Sequence, residues 1–272
     1  MKRFCKLFVL LALLSVLPLS AAKVDTVSVY SHSMDKDIKT VVVTPDSYSN
    51  LKKLPTVYLL HGYSGNYGSW VNDGPEVSNL SDMHDVIVVC PDGEFGSWYF
   101  DSPVDSKMMY ETFVSKELVE WVDKNYNTVA SRKGRAITGL SMGGHGGLYL
   151  GFRHQDVFGA CGSMSGGVDI RPFPNNWDMA QRLGKQSEHP ENWEKNTVIN
   201  QLHLLTPNSI KIIIDCGTED FFYDVNVKLH EELNYRNIPH DFISRPGAHN
   251  WPYWQNAVKY QFLFFSEYFV GK

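Results

Sequence analysis

The sequence predicts an α/β protein with a mostly parallel, doubly wound sheet and helices on both of its faces. Two observations carry that expectation. Short β-branched apolar runs recur without polar alternation, as strands buried on both sides require. Between them lie stretches whose apolar residues return every three or four positions, the period of a helix with one buried side.

Taken in order, residues 24–31 and 38–44 alternate or run β-branched and read as two early strands forming a hairpin. Thr56–Leu60, 86–90 and 136–138 read as buried parallel strands. Residues 158–164 and 210–214 extend the series, and 241–244 is the last strand. Helical spacing joins Tyr110, Phe113, Val114, Leu118, Trp121 and Val122. It joins Val225, Leu229 and Leu233, and again Trp254, Val258, Phe262 and Phe265. Residues 166–205 break the rhythm: they are rich in Pro, Asn, Trp and His and read as an insertion over the carboxyl edge of the sheet.

The first 22 residues read as a signal peptide. Lys2, Arg3 and Lys6 form a positive start, 7–17 is apolar apart from Ser15, and Ser20-Ala21-Ala22 offers small residues for cleavage. The apolar core is too short for a comfortable membrane span. Residues 23–272 then form a single catalytic domain, secreted or periplasmic, with no stable membrane span after cleavage. The whole chain carries −5, and losing three basic residues with no acid leaves −8. No basic run is present, so nucleic acid is not an expected partner. Beyond the leader there are Cys90, Cys161 and Cys216, an odd number, expected to be buried reduced thiols.

One pentapeptide carries chemistry. Gly139-Leu140-Ser141-Met142-Gly143 follows a strand-like run and precedes a small-residue stretch able to start a helix. That is the context of a nucleophile elbow, a strained turn whose flanking glycines keep Cβ atoms out of the crowded corner. A serine hydroxyl needs a base, and the base needs an orienting carboxylate. After the 210–214 strand, Asp215, Glu219 and Asp220 compete for the acid role; Asp220 is favoured because Gly217 allows a turn before it, and it can also cap the next helix. His249, in a Gly-containing loop after the last strand, is the base candidate. The order Ser, acid, His is the one this fold class uses. After the third strand, His61-Gly62-Tyr63-Ser64-Gly65 stands where half of an oxyanion hole belongs, with the backbone N–H groups of Tyr63 and Met142 as expected donors. Trp98, Tyr99, Trp251 and Trp254 lie near the expected rim, and Trp98 and Trp251 are taken as candidate substrate contacts. No His/Cys cluster has zinc spacing, and neither a dinucleotide fingerprint nor a P-loop is present, so neither metal nor cofactor is expected.

At the 61–65 loop, the Ser-Met-Gly-Gly elbow, 215–220 and Gly247-Ala248-His249-Asn250-Trp251-Pro252-Tyr253-Trp254, the chain resembles the esterase D-like family. That group holds S-formylglutathione hydrolases, tributyrin-type esterases, and feruloyl and acetylxylan esterases. The resemblance covers most of 38–268 and implies a compact α/β-hydrolase fold without a metal requirement. It implies Ser141, Asp220 and His249 as the triad and Tyr63 and Met142 at the oxyanion positions. Residues 166–205 match no lid of that family. The expected activity is a secreted serine esterase acting on a small or polysaccharide-linked ester, feruloyl or acetyl. The alternatives are a glutathione-type thioesterase, a short-chain esterase and an acyltransferase with the same triad. A binding module on an inactive hydrolase fold is the non-enzymatic alternative.

Overall fold

A computed structural model describes residues 21–74 and 76–271. The expected leader falls on residues 1–22, so all but Ala21 and Ala22 lies outside the described residues. Eight strands form one sheet: β1 (Lys23–Ser31), β2 (Lys36–Thr44), β3 (Thr56–Leu60), β4 (Ile87–Pro91), β5 (Arg135–Gly139), β6 (Ala160–Met164), β7 (Lys211–Gly217) and β8 (Asp241–Arg245). Their order across the sheet is β1-β2-β4-β3-β5-β6-β7-β8. The β1–β2 hairpin is antiparallel and joins β4 antiparallel; every other pairing is parallel.

The buried runs alternate between two apolar layers, one on each face. Tyr58 and Leu60 of β3 face the layer that holds Leu118, Val122, Leu148, Phe152 and Trp193. Val57 and Leu59 face the layer of Trp70, Leu80, Val258, Phe262 and Phe265. This is why the central strands show no polar alternation: both sides are covered, and each buried aliphatic side chain contributes about 1.5–3 kcal/mol before ordering costs.

The helices lie largely where the periodicity places them, with three differences. Residues 110–125 are helical throughout but contain a π-helical turn, Phe113–Glu117, which a period-3.6 reading cannot register. The short helices Ser69–Asn72 and Glu76–His84 were not expected, because only Val77, Leu80 and Ser81 of the second carry a buried stripe. Residues 166–205 hold Met179–Leu183, Pro190–Lys195 and the 3-10 turn Val198–Leu204, anchored in the core by Met179, Leu183, Trp193 and Val198. Among the described residues no helix is long and apolar enough to cross a membrane.

Cys90, Cys161 and Cys216 are buried and unbridged, as expected, one each on β4, β6 and β7, and burial pushes all three thiols up. Position also matters. β4 lies on one side of β3 and β5 on the other, so the chain reverses its direction of winding at β3. The carboxyl ends of β3 and β5 therefore flank a switch point, where sheets of this kind leave a crevice.

His145, on the helix Met142–Arg153, is fully buried beneath that crevice. Its Nε2 lies 2.9 Å from the Asn196 carbonyl and its Nδ1 3.2 Å from that of Trp98. Burial outweighs both contacts and lowers its pKa to about 4, well under the usual histidine value of 6.5. A depressed histidine stabilises the fold above 6.5, and that contribution is lost as pH falls toward 4, because the unfolded chain takes up the proton first. The free energy of urea unfolding is expected to decline between pH 7 and 4.5, and to decline less in His145→Gln. Equal slopes in the two proteins would rule out His145 as the source.

Candidate active site

β5 ends at Gly139, and two residues later the chain turns sharply. Ser141 has φ 56° and ψ −115°, a conformation that L-residues adopt only when the surroundings hold them there. Its N–H donates to the Met164 carbonyl at 2.9 Å, its carbonyl accepts from His145 N–H at 3.0 Å, and Gly143 N–H closes the turn on the Leu140 carbonyl at 2.7 Å. The flanking glycines are steric necessities. A Cβ on Gly143 would stand 2.5 Å from the Leu60 oxygen and 2.6 Å from that of His61, both backbone atoms. The helix Met142–Arg153 starts immediately, so its positive pole lies beside the serine.

The loop after β3 is clamped. His61 is buried; its Nδ1 meets the Gly62 carbonyl at 2.8 Å, and its Nε2 accepts from Gly93 N–H at 2.7 Å. Those two contacts fix one tautomer and leave neither nitrogen for a substrate, so His61 is loop architecture, as the sequence suggested. Among the described residues, the backbone N–H groups of Tyr63 and Met142 donate to no protein acceptor.

The competing carboxylates separate cleanly. Asp215 ends inside β7, which runs on to Gly217, and its fully buried carboxylate pairs with Arg245 of β8 and accepts from the Tyr253 hydroxyl. Glu219 is exposed and contributes its N–H to the Gly247 carbonyl at 2.9 Å. Asp220 alone meets the imidazole: its Oδ2 and Oδ1 lie 2.8 and 3.0 Å from His249 Nδ1. Oδ1 also accepts the Phe222 N–H at 2.8 Å, an Asx turn that fixes the carboxylate's rotamer. The following helix, Tyr223–Tyr235, takes Phe222 at its cap position, so Asp220 lies two residues ahead of the cap rather than at it.

His249 Nε2 lies 2.9 Å from Ser141 Oγ. Its ring is held by Phe221 at 4.2 Å between centroids and by the edge of Trp254 at 4.9 Å. With Nδ1–H held by Asp220, Nε2 carries the lone pair that a serine proton requires. Ser141 and His249 open onto a cleft of about 520 Å³. Its lining mixes aromatic side chains, Tyr63, Trp177, Phe221, Trp251 and Trp254, with polar ones, Ser64, Asn66, Ser69 and Asp73.

Trp251 therefore reaches the cleft, whereas Trp98 does not. Trp98 is 1% exposed, lies edge-on to His145 and donates from Nε1 to the Trp177 carbonyl at 3.2 Å. Tyr99 is also buried, its hydroxyl 3.2 Å from the His61 carbonyl. The places expected for them are taken by Trp177 and Phe221. Phe221 adjoins Asp220 in sequence, a signal available beforehand; Trp177 sits in a segment without periodicity, and nothing in the sequence marks it out.

A parallel sheet with a serine-bearing elbow at its switch point, and loops from β3, β7 and β8 converging on it, defines an α/β-hydrolase fold. Comparison with known proteins gives the family. The chain matches the Esterase family model, described as “putative esterase”, over residues 31–265, and it belongs to that family. An acetyl esterase of Caldicellulosiruptor saccharolyticus is 26% identical over 267 residues, covering 89% of this chain and 97% of the relative. The diacylglycerol acyltransferase/mycolyltransferase Ag85B of Mycolicibacterium smegmatis is 28% identical, covering 87% and 82%. Among solved structures, a ferulic acid esterase superposes with a TM-score of 0.78 at 28% identity, covering 91% of this chain and 98% of the other. The S-formylglutathione hydrolase FrmB of Staphylococcus aureus superposes with a TM-score of 0.76 at 19% identity, covering 90% and 99%, a likeness of fold. The protein is a carboxylic ester hydrolase of the Esterase family.

Proposed function

We propose that the protein is an exported serine esterase that cleaves feruloyl or acetyl esters of neutral, sugar-like alcohols through an acyl-enzyme. The carrying observation is the continuous chain of hydrogen bonds Asp220–His249–Ser141, opening onto a cleft beside two undonated backbone N–H groups. Ser141 Oγ attacks the ester carbonyl while His249 Nε2 takes its proton. The negative charge that develops on the carbonyl oxygen is met by the N–H groups of Tyr63 and Met142. Collapse of the tetrahedral intermediate expels the alcohol, which receives the proton from His249. Water, deprotonated by the same imidazole, then releases the acid and restores Ser141. Asp220 keeps Nδ1 protonated and stabilises the imidazolium.

The cleft's chemistry supports the choice of alcohol. Its aromatic side chains suit the apolar faces of a sugar or a phenolic acyl group, and its polar side chains suit hydroxyls. Among the described lining residues there is no Lys or Arg, and Asp73 is the one carboxylate. A glutathione thioester, which carries its own carboxylates, finds no cation there. The acetyl esterase and ferulic acid esterase relatives agree with this reading in their names. Export rests on the leader-like residues 1–22.

The test is hydrolysis of methyl ferulate, acetylated xylo-oligosaccharide, a butyryl ester and S-formylglutathione by residues 23–272. Activity confined to the thioester would overturn the proposed substrate class. The charge argument has its own check. Asp73→Lys is expected to raise kcat/KM for S-formylglutathione relative to methyl ferulate about fivefold at low salt, the equivalent of the ~1 kcal/mol that two charges 4 Å apart exchange in water. The gain should fade in 0.5 M salt, roughly a Debye length of 4 Å. An unchanged ratio would remove Asp73 from the account of selectivity.

A further inference from the structure

We infer that Asp178 is a positioning residue for the oxyanion hole, acting through the side chain of Tyr63; the inference rests on the esterase reading above. The Tyr63 ring lies against Phe95 at 4.8 Å, and its hydroxyl donates to Asp178 Oδ2 at 2.7 Å. Burial and the adjacent carboxylate push that hydroxyl up to about 12, so it is the donor at any working pH. The other carboxylate oxygen, Oδ1, accepts from Gln181 at 2.9 Å, so the acceptor is itself held.

The backbone around Asp178 shows what this costs. Trp177 and Asp178 both have positive φ, 49° and 54°, a conformation unfavourable for a tryptophan. Two successive residues with positive φ turn the chain sharply, and their side chains meet different partners. The Trp177 ring stacks on Phe221 at 5.6 Å with an interplanar angle of 19°, and Phe221 covers His249. Asp178 reaches Tyr63 instead. One dipeptide from the 166–205 segment thus touches the loop that carries one oxyanion donor and the ring that covers the base.

The Tyr63 side chain adds to a loop already held at the Gly62 carbonyl, which meets His61 Nδ1 at 2.8 Å and accepts the Gly65 N–H at 3.0 Å. The Tyr63 backbone N–H makes no bond to the protein, and the next residue, Ser64, is at φ 62° with its N–H on the Phe95 carbonyl at 2.7 Å. The Gly62–Tyr63 peptide plane is held from its carbonyl side, so losing the hydroxyl–carboxylate bond frees the Tyr63 side chain and lets its Cα, and with it the N–H, shift slightly from the developing oxyanion. The bond is made before substrate arrives, so its loss should weaken the transition state and leave ground-state binding largely alone.

The experiment compares Tyr63→Phe, Asp178→Ala, their double variant and Asp178→Asn in the full mature chain. Each is read by kcat, KM and the Ki of an aryl trifluoromethyl ketone that forms an oxyanion adduct. Tyr63→Phe and Asp178→Ala are each expected to lower kcat about 10- to 100-fold, the scale of a small misplacement of a catalytic group. KM should change less than about twofold, and the Ki should rise by the same factor as kcat falls. The double variant should be no worse than either single one, because both remove one bond. Asp178→Asn keeps an acceptor and tolerates the left-handed backbone, and is expected to recover most of the activity. Full kcat in Tyr63→Phe would overturn the inference. So would losses that multiply in the double variant, or that appear in KM alone. If Ser141→Ala retained activity the esterase mechanism itself would fail, an outcome distinct from any of these.

Discussion

Ser141→Ala and His249→Ala are each expected to lower kcat about a million-fold on methyl ferulate or acetyl esters, with KM nearly unchanged, as in serine hydrolases whose triad acts as a unit. The reason is geometric. Ser141 Oγ has one base within reach, His249 Nε2 at 2.9 Å, and that nitrogen is free to accept because Asp220 holds the opposite one. The double variant should be no slower than either single variant, since half of the pair does nothing alone. Asp220→Asn is expected to lose about ten-thousand-fold, through the wrong tautomer: its amide can donate to Nδ1, which puts the proton on Nε2 and faces N–H toward Ser141. Rates in purified proteins, with circular dichroism to show retained fold, decide the matter. Activity in Ser141→Ala within tenfold of wild type would exclude the acyl-enzyme mechanism.

Asp215→Ala is expected to behave in the opposite way, unfolding about 6–12 °C earlier while the folded enzyme keeps its kcat. The Asp215 side chain is fully buried and binds both Arg245 of β8 and the hydroxyl of Tyr253 on the last helix. It fastens three elements at the edge where the His249 loop leaves the sheet. Truncation leaves Arg245 beside Tyr253 and Tyr260 with no counter-charge. Removing one member of a buried pair costs about 3–5 kcal/mol, and the partial exposure of Arg245 favours the low end, about 3 kcal/mol. For a chain of this size each kcal/mol moves Tm by about 2–4 °C. Calorimetry of Asp215→Ala and Asp220→Asn side by side provides the test. A catalytic collapse in Asp215→Ala without a fall in Tm would reverse the two roles.

These two aspartates also mark the limit of what the sequence discloses. The strands were legible because burial on both faces leaves uninterrupted β-branched runs, and their chain order places Ser141, a carboxylate and His249 after β5, β7 and β8. Choosing among Asp215, Glu219 and Asp220 needs two further facts, that β7 continues to Gly217 and that the Phe222 N–H fixes one carboxylate. Neither leaves a periodic trace. Trp98 illustrates a different limit. A large aromatic beside the site has the same letter whether it lines the cleft or fills the layer beneath it, and here the layer claims it at 1% exposure. Trp177 reaches the cleft from a segment with no period, held there by a left-handed turn that composition cannot reveal.

The cysteines give the molecule a set of internal opening reporters. Each reduced thiol lies on a different strand, β4, β6 or β7, on both sides of β5, the strand that leads into the Ser141 turn. A sheltered thiol with its ionisation suppressed reacts with iodoacetamide only when its strand opens to water. The alkylation rate at each cysteine therefore reads the breathing of one strand, and the ratio of the rates shows whether the sheet loosens first at its hairpin flank or at the flank that carries Asp220 and His249.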